Sequence, residues 1–296
     1  MGKRERGKEV WEVWGDKITN YQLSTTNSQP STINPHFLTL HSLTPTPPKH
    51  PTLPDSMAQL QRIAIASSQI QNGQIALTSP QQHYLYRVLR LQARDNFIAM
   101  DGMGQWWLAQ LTGTVAAIIQ PLNVATELPT AITLMAALPK GNAFDEVVRF
   151  STELGVTCIA PLLSDRTLLK PSLQKLQRWQ RISQEAAEQS ERACIPTILE
   201  PATFRNVILN TTATHRYLCE SRGNYPHLKN IINEISVPDE IAIAIGPEGG
   251  WTEAEIEFAI AHGFQPVSLG KRILRAVTAP IAALSIVTAT LESVVN

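Results

Sequence analysis

No run of apolar residues in this 296-residue chain reaches the roughly 18 positions that a membrane-spanning helix needs. The opening stretch "MGKRERGKEVWEVWG" also lacks the apolar core of a secretion signal. The expected location is therefore the cytoplasm, with no membrane partner. Cysteine is scarce: Cys158, Cys194 and Cys219 lie far apart and match no metal-ligand spacing. They read as reduced, mostly buried small side chains, and no metal site is expected. Excess charge is missing too, because 25 basic residues balance 25 acidic ones. Composition thus offers no support for a nucleic-acid partner, and any basic surface has to arise by local clustering. Neither the G-x-x-x-x-G-K-[ST] phosphate loop nor the G-x-G-x-x-G dinucleotide fingerprint occurs, which disfavours a nucleotide hydrolase.

What the chain does contain is 43% hydrophobic residues, enough for a sizeable core in one to two globular domains. Residues 1–56 stand apart. Their Pro, Ser and Thr content without periodicity predicts an extended, disordered extension, and the folded pattern begins at Met57. From Met57 to Leu128, short apolar runs such as "RIAIA", "QIALT" and "AAIIQPLNV" alternate with turn signals, the texture of a small β-barrel. A helix interrupts it at "SPQQHYLYRVLRLQARD", with Ser79 as N-cap and Pro80 in the first turn. Arg87, Arg90 and Arg94 are spaced to share one side of that helix. Such a row is either a solvated face or a track for phosphates. The pair Trp106–Trp107 could stack on bases, but strand alternation turns one of the two inward.

Past residue 129 the pattern becomes strand–helix alternation, which predicts an α/β domain with a mostly parallel sheet. In "EIAIAIGPEGGWTEAEIEFA", Ile241, Ile243 and Ile245 alternate with alanines, as in a strand packed on both faces. Gly246, Gly249 and Gly250 then permit close backbone approaches. Thr252 and Glu255 form a capping box that opens the next helix. Ligands of parallel sheets bind at such carboxyl strand ends. Glu248 inside the turn would repel phosphate, so the turn either holds a base or a cation through backbone contacts or is simply a tight connection. A second glycine turn, "VSLGKRILRAVTAPIAALS", passes through Gly270 in the same way and could build the opposite wall of one pocket.

Four segments in this order, "FDEVVRFSTELGVTCIAPLLSDRT", "RWQRISQEAAEQSERACIPTI", "GPEGG" with its acidic helix, and "LGKRILR" followed by "TAPIAALS", resemble the ribosomal RNA small subunit methyltransferase E family of the SPOUT class. The resemblance runs from about Gln61 to the C-terminus and leaves residues 1–56 uncovered. It implies an α/β SPOUT domain over 129–296 with a C-terminal trefoil knot, a PUA-like RNA-binding barrel over 57–128, and a homodimer. It also implies S-adenosylmethionine as cofactor and N3 of a uridine in 16S rRNA, within the small ribosomal subunit, as methyl acceptor.

By position, the resemblance places the cofactor against three loops. The first is Leu138–Pro139. The second runs from Ile245 through Gly246, Pro247, Glu248, Gly249 and Gly250. The third comprises Leu269, Gly270, Arg272, Ile273 and Leu274, with Thr278 just beyond. Arg192 and Arg275 match family arginines and are the catalytic candidates, because a cation near uridine N3 favours the anionic base. Each could instead be a salt-bridge arginine. Arg62, Arg87 and Arg90 match basic positions of the barrel and are the expected phosphate contacts. Val277 stands where the family usually has an acidic residue. That departure motivates an alternative, a non-catalytic RNA-binding or ribosome-assembly protein that retains the fold.

Overall fold

The structure, a computed structural model, describes residues 57, 59–167, 171–235 and 240–295. The extension expected over 1–56 lies outside the described residues. The first sheet is built from β1 (Arg62–Ala64), β2 (Ile70–Gln71), β3 (Gln74–Ala76), β4 (Asn96–Met100), β5 (Trp106–Leu111) and β6 (Val115–Leu122). Their order is β1-β4-β5-β6-β3-β2, antiparallel except for β1 beside β4. The sheet curves as a half-barrel. Among the described residues its end strands β1 and β2 do not pair, so the barrel expected from the sequence is not closed.

Helix α1 (Ser79–His83) follows β3. Its N-cap is Thr78 rather than Ser79: the Thr78 hydroxyl accepts from the Gln81 amide, and Gln81 returns the bond to the Thr78 N–H at 2.9 Å. The helix widens into a single π turn over Tyr84–Val88 and stops. Arg90 and Arg94 then take left-handed backbone angles, with φ of 58° and 78°. Arg87, Arg90 and Arg94 therefore do not line one helix face, because the helix ends before the second of them.

The second sheet begins with β7 (Ala131–Ala137), helix α2 (Phe144–Glu153), β8 (Cys158–Leu163) and helix α3 (Leu173–Gln189). Short elements follow: β9 (Thr197–Ile198), β10 (Ala202–Thr203) and α4 (Phe204–Leu209). The chain continues through β11 (His215–Cys219), α5 (Leu228–Ile232), β12 (Glu240–Ile245), α6 (Glu253–Ala261), β13 (Gln265–Val267) and α7 (Thr278–Val295). All pairs in this sheet are parallel, in the order β10-β8-β7-β12-β11-β13, with β9 also on β8. Strand β12 thus inserts between β7 and β11, which places it at the centre of the sheet.

Alternation along β12 feeds two cores, as the Ile/Ala pattern predicts. Ile241, Ile243 and Ile245 join a cluster with α2, α3 and α7, including Val148, Trp179 and Leu284. Ala242 and Ala244 face the other layer with Phe204, Trp251 and Phe264. Small residues on that face let α4 and α6 approach closely. Gly155, at φ +87°, ends α2 as expected.

The two sheets meet across the C-terminal end of α3. Trp106 is 1% exposed and packs with Ile98, Met100, Ala187 and Ala193, while Trp107 faces the half-barrel interior. Strand alternation thus sends Trp106 into the seam between the sheets and Trp107 toward the half-barrel core. The Ala64 N–H donates to Glu188 Oε1 at 2.8 Å. Backbone bonds from Gly104 N–H to Ala193 O (3.1 Å) and from Ile195 N–H to Gly102 O (2.9 Å) complete the seam.

Candidate cofactor site

The carboxyl ends of β11, β12 and β13 open into one cavity. Its wall takes Ile245, Gly246, Pro247, Glu248 and Gly250 from the turn after β12. Leu269, Gly270, Arg272, Ile273 and Leu274 come from the turn after β13. The two glycine turns are thus brought together. The cavity is completed by Cys219, Glu220, Ser221 and Arg222 after β11, and by Trp251, Ala276 and Ala279.

These two turns have the shapes their glycines permit. Gly250 and Gly270 sit at φ +71° and +115°, angles that side chains with a β-carbon rarely adopt. At Gly246 a β-carbon would stand 3.1 Å from the Trp251 indole. That indole is held by its own hydrogen bond, Nε1–H to the Cys219 carbonyl at 3.0 Å. Beyond the turn, the Thr252 hydroxyl accepts from the Glu255 N–H at 3.2 Å, and Glu255 Oε2 accepts from the Thr252 N–H at 2.8 Å. The capping box expected from the sequence is formed. The loop after β8 locks onto it: Asp165 N–H donates to Glu255 Oε1 at 3.0 Å. Arg166 Nη1 donates to the Gly249 and Trp251 carbonyls at 2.6 and 3.1 Å.

Other residues singled out in the sequence lie near the cavity without lining it. Leu138 and Pro139 are buried beneath the rim. Their loop nonetheless touches the glycine turn, because Lys140 N–H donates to Glu248 Oε1 at 3.1 Å. Gly249 faces Arg166, whose Cδ would lie 3.1 Å from an added β-carbon. Thr278 is exposed at the start of α7, and Ala276 and Ala279 take the wall instead. Arg275 is exposed beside the rim, and its carbonyl accepts from the N–H groups of Thr278 and Ala279 at 2.9 Å. Val277 packs against the core shared by α2, α3 and α7.

Two arginines take places that the sequence reading does not anticipate. Arg192 is 3% exposed and absent from the cavity wall. Its Nη1 donates to the Thr152 and Val156 carbonyls, both at 2.8 Å, and its Nε and Nη2 pair with Glu127. These partners make Arg192 a clasp between the end of α3, the end of α2 and the segment before β7, in place of a residue facing a methyl acceptor. The side chain of Arg62 is 7% exposed, bonded to Glu191 at 2.7 Å and to the Leu60 carbonyl at 3.0 Å, and stacked 5.4 Å from the Trp106 ring centroid. Burial lowers its pKa against the opposing effect of Glu191. It braces the seam between the sheets and does not present a surface for phosphates. Arg87 and Arg90 are exposed.

The residues missed in the sequence are Trp251, Ala276 and Ala279 and, above all, the group at the end of β11. Strand β11 is recognisable as "HRYLCE", but nothing in the sequence says that β12 and β13 flank it, and that adjacency brings Cys219 to Arg222 to the cavity. All three cysteines are free and half-buried, and Cys219 packs against the main core. Desolvation pushes the Cys219 thiol up to about 12, which favours the thiol over the thiolate at neutral pH.

A half-barrel joined to a parallel sheet, with a glycine-walled cavity at the carboxyl strand ends, defines an RNA methyltransferase of the SPOUT type. Residues 126–288 match the model of the RNA methyltransferase domain, and residues 77–117 match that of the RNA methyltransferase PUA domain. The chain belongs to the ribosomal RNA small subunit methyltransferase E family. It is 50% identical over 244 residues to the ribosomal RNA small subunit methyltransferase E of Synechocystis sp., covering 80% of each chain. The Bacillus subtilis relative of the same name is 27% identical over 75% of this chain and 93% of its own. Among solved structures, the ribosomal RNA small subunit methyltransferase E of Neisseria gonorrhoeae bound to S-adenosyl methionine superposes with a TM-score of 0.71 at 31% identity, covering 78% of this chain and 97% of that one. A putative methyltransferase of Legionella pneumophila with bound cofactor SAM gives 0.70 at 29% identity, covering 78% and 98%.

Proposed function

We propose that this protein methylates N3 of a uridine in 16S rRNA of the small ribosomal subunit, using S-adenosylmethionine. The observation that carries this reading is the cavity between the two glycine turns, in a chain of this family. The residues present fit the cofactor: backbone is exposed along both turns, the space beside Gly246 would be narrowed by any β-carbon, and an indole closes one side.

Bound there, S-adenosylmethionine supplies an electrophilic methyl group on a sulfonium. The protein's part is to hold donor and acceptor in line, which can account for a large share of the acceleration without a covalent nucleophile. In this reading Arg275, exposed beside the cavity-lining Leu274 and Ala276, stabilises charge on the uridine carbonyl oxygens as N3 loses its proton. The segment 57–128 serves as the RNA-binding domain, with Arg87 and Arg90 toward phosphates, and 129–296 as the catalytic domain. The active form is a C₂ homodimer with a knotted C-terminal region, working in the cytoplasm. Few cations serve the RNA, so the assembled subunit, with its fixed shape, is the substrate.

The test is to incubate the protein and S-adenosylmethionine with small subunits lacking the modification and map methylated nucleosides by mass spectrometry. One new N3-methyluridine in 16S rRNA is the expected result. Cofactor binding without any methylated nucleoside would instead favour a non-catalytic RNA-binding protein.

A further inference from the structure

Two carboxylates stand on the cavity wall, and they differ in surroundings. Glu248 is exposed at the rim and accepts from the Lys140 N–H. Glu220 is only 7% exposed. It follows the last residue of β11, and its own N–H donates to the Val267 carbonyl of β13 at 2.9 Å. Its Oε1 accepts from the Arg222 N–H at 2.6 Å. Among the described residues, no other hydrogen bond reaches this carboxylate.

A carboxylate can accept at about four lone-pair positions, and a buried acceptor left short of donors is costly and uncommon. Ser221, Arg222 and Arg272 also line the cavity, but among the described residues no side-chain donor of the wall bonds to Glu220. Ile245, Leu269 and Leu274 are apolar, and the Trp251 N–H is already committed to Cys219. The second oxygen of Glu220 keeps accessible surface on a residue that lines the cavity, so an occupant of the cavity can donate to it.

We propose that Glu220 binds the vicinal ribose hydroxyls of the adenosyl group, an assignment that rests on the S-adenosylmethionine reading above. Two adjacent hydroxyls match the two oxygens of a carboxylate, and being neutral they enter a buried position without the desolvation cost of the methionyl ammonium. The sulfonium carries no hydrogen to donate. The adenine amino group offers one planar nitrogen, which the backbone carbonyls of the turns can satisfy. An acid at a strand end, close to a glycine turn, also serves the ribose in other parallel α/β sheets.

The test is calorimetry on the full chain with S-adenosylhomocysteine, its 2′-deoxy and 3′-deoxy analogues, and S-adenosylmethionine. Wild type should bind the ribo ligand about 10- to 100-fold more tightly than at least one deoxy analogue, the range for a hydrogen bond to a charged group. That preference should shrink in Glu220→Gln and fall to about twofold or less in Glu220→Ala. A wild type indifferent to both hydroxyls overturns the assignment, and so does a preference that survives Glu220→Gln unchanged. A loss confined to S-adenosylmethionine, sparing S-adenosylhomocysteine, would also overturn it, because it identifies pairing with the sulfonium. If wild type binds none of the four ligands, the cofactor reading itself fails, and this assignment with it.

Discussion

The indole Nε1–H of Trp251 donates to the carbonyl of Cys219 at 3.0 Å, so the first glycine turn is tied to the end of the neighbouring strand. Trp251→Phe keeps an aromatic ring but removes that donor. It should cost about 1–3 kcal/mol of stability and weaken cofactor binding as the turn loosens. Urea denaturation and calorimetry measure the two effects, and no change in either would show that the bond does not shape the cavity.

Arg192 offers a sharper contrast between a catalytic and an architectural role. With its guanidinium given to Glu127, Thr152 and Val156, Arg192→Ala leaves buried acceptors and a carboxylate without their cation. A loss of about 3–5 kcal/mol is expected. At temperatures where the variant is still folded, single-turnover methyl transfer should stay close to wild type. A stable Arg192→Ala protein with abolished turnover would restore the catalytic assignment.

Arg275 should behave in the opposite way. Arg275→Ala is expected to leave the melting temperature and cofactor affinity near wild type, since the side chain is exposed. Turnover should drop about 10²- to 10³-fold, the usual effect of removing one charge-stabilising group. Arg275→Lys keeps the positive charge and should recover part of the rate. Single-turnover kinetics on subunits reads both, and wild-type turnover in the alanine variant would remove Arg275 from the mechanism.

On the half-barrel, Arg87→Ala and Arg90→Ala should each weaken subunit binding and flatten its salt dependence by about one phosphate contact. Arg62→Ala, which loses its bond to Glu191, should lower thermal stability instead, with the salt slope of the folded protein retained. Binding titrations at several salt concentrations separate the two patterns.

Glu188 sets a pH dependence at the seam between the sheets. Burial raises its pKa above the ordinary 4.5, against the lowering effect of its bonds from Ala64 and Gln184. Between 4.5 and the raised folded value, the folded chain binds more protons than the unfolded one, so this group's contribution to stability falls as pH rises through that window. Relative to wild type, Glu188→Gln should gain stability as pH rises from about 4 toward neutrality. Urea midpoints of both proteins across that range test it; a constant difference would dismiss the linkage.

Local signals carried most of the architecture. The Ile/Ala alternation of β12, the Thr252–Glu255 box and Gly155 after α2 are each decided by a few neighbouring residues, and each is found where its pattern stands. Both glycine turns were legible as a pair for the same reason. The failures are non-local. Whether Arg192 faces a substrate or Glu127 depends on a partner 65 positions away in sequence, and the burial of Arg62 depends on a helix end more than a hundred positions later. Glu220 escaped notice because its strand ends in the cavity only when β12 and β13 lie on either side. The cap at Thr78 and the π turn after it were missed more narrowly, since Ser79 and Thr78 are both good caps and the helix pattern runs on past its real end.

Strand β12 pairs with β7 more than one hundred residues earlier and divides that early strand from β11, while β13 settles on β11 from outside. Pairings between segments so distant form slowly, because a large loop must close before any contact rewards it. During synthesis, then, a ribosome still decoding the last fifth of this message carries a nascent chain with no place for a methyl donor. Competence arrives as one of the final events of folding, and an interrupted translation product should be inert even when its first sheet is complete.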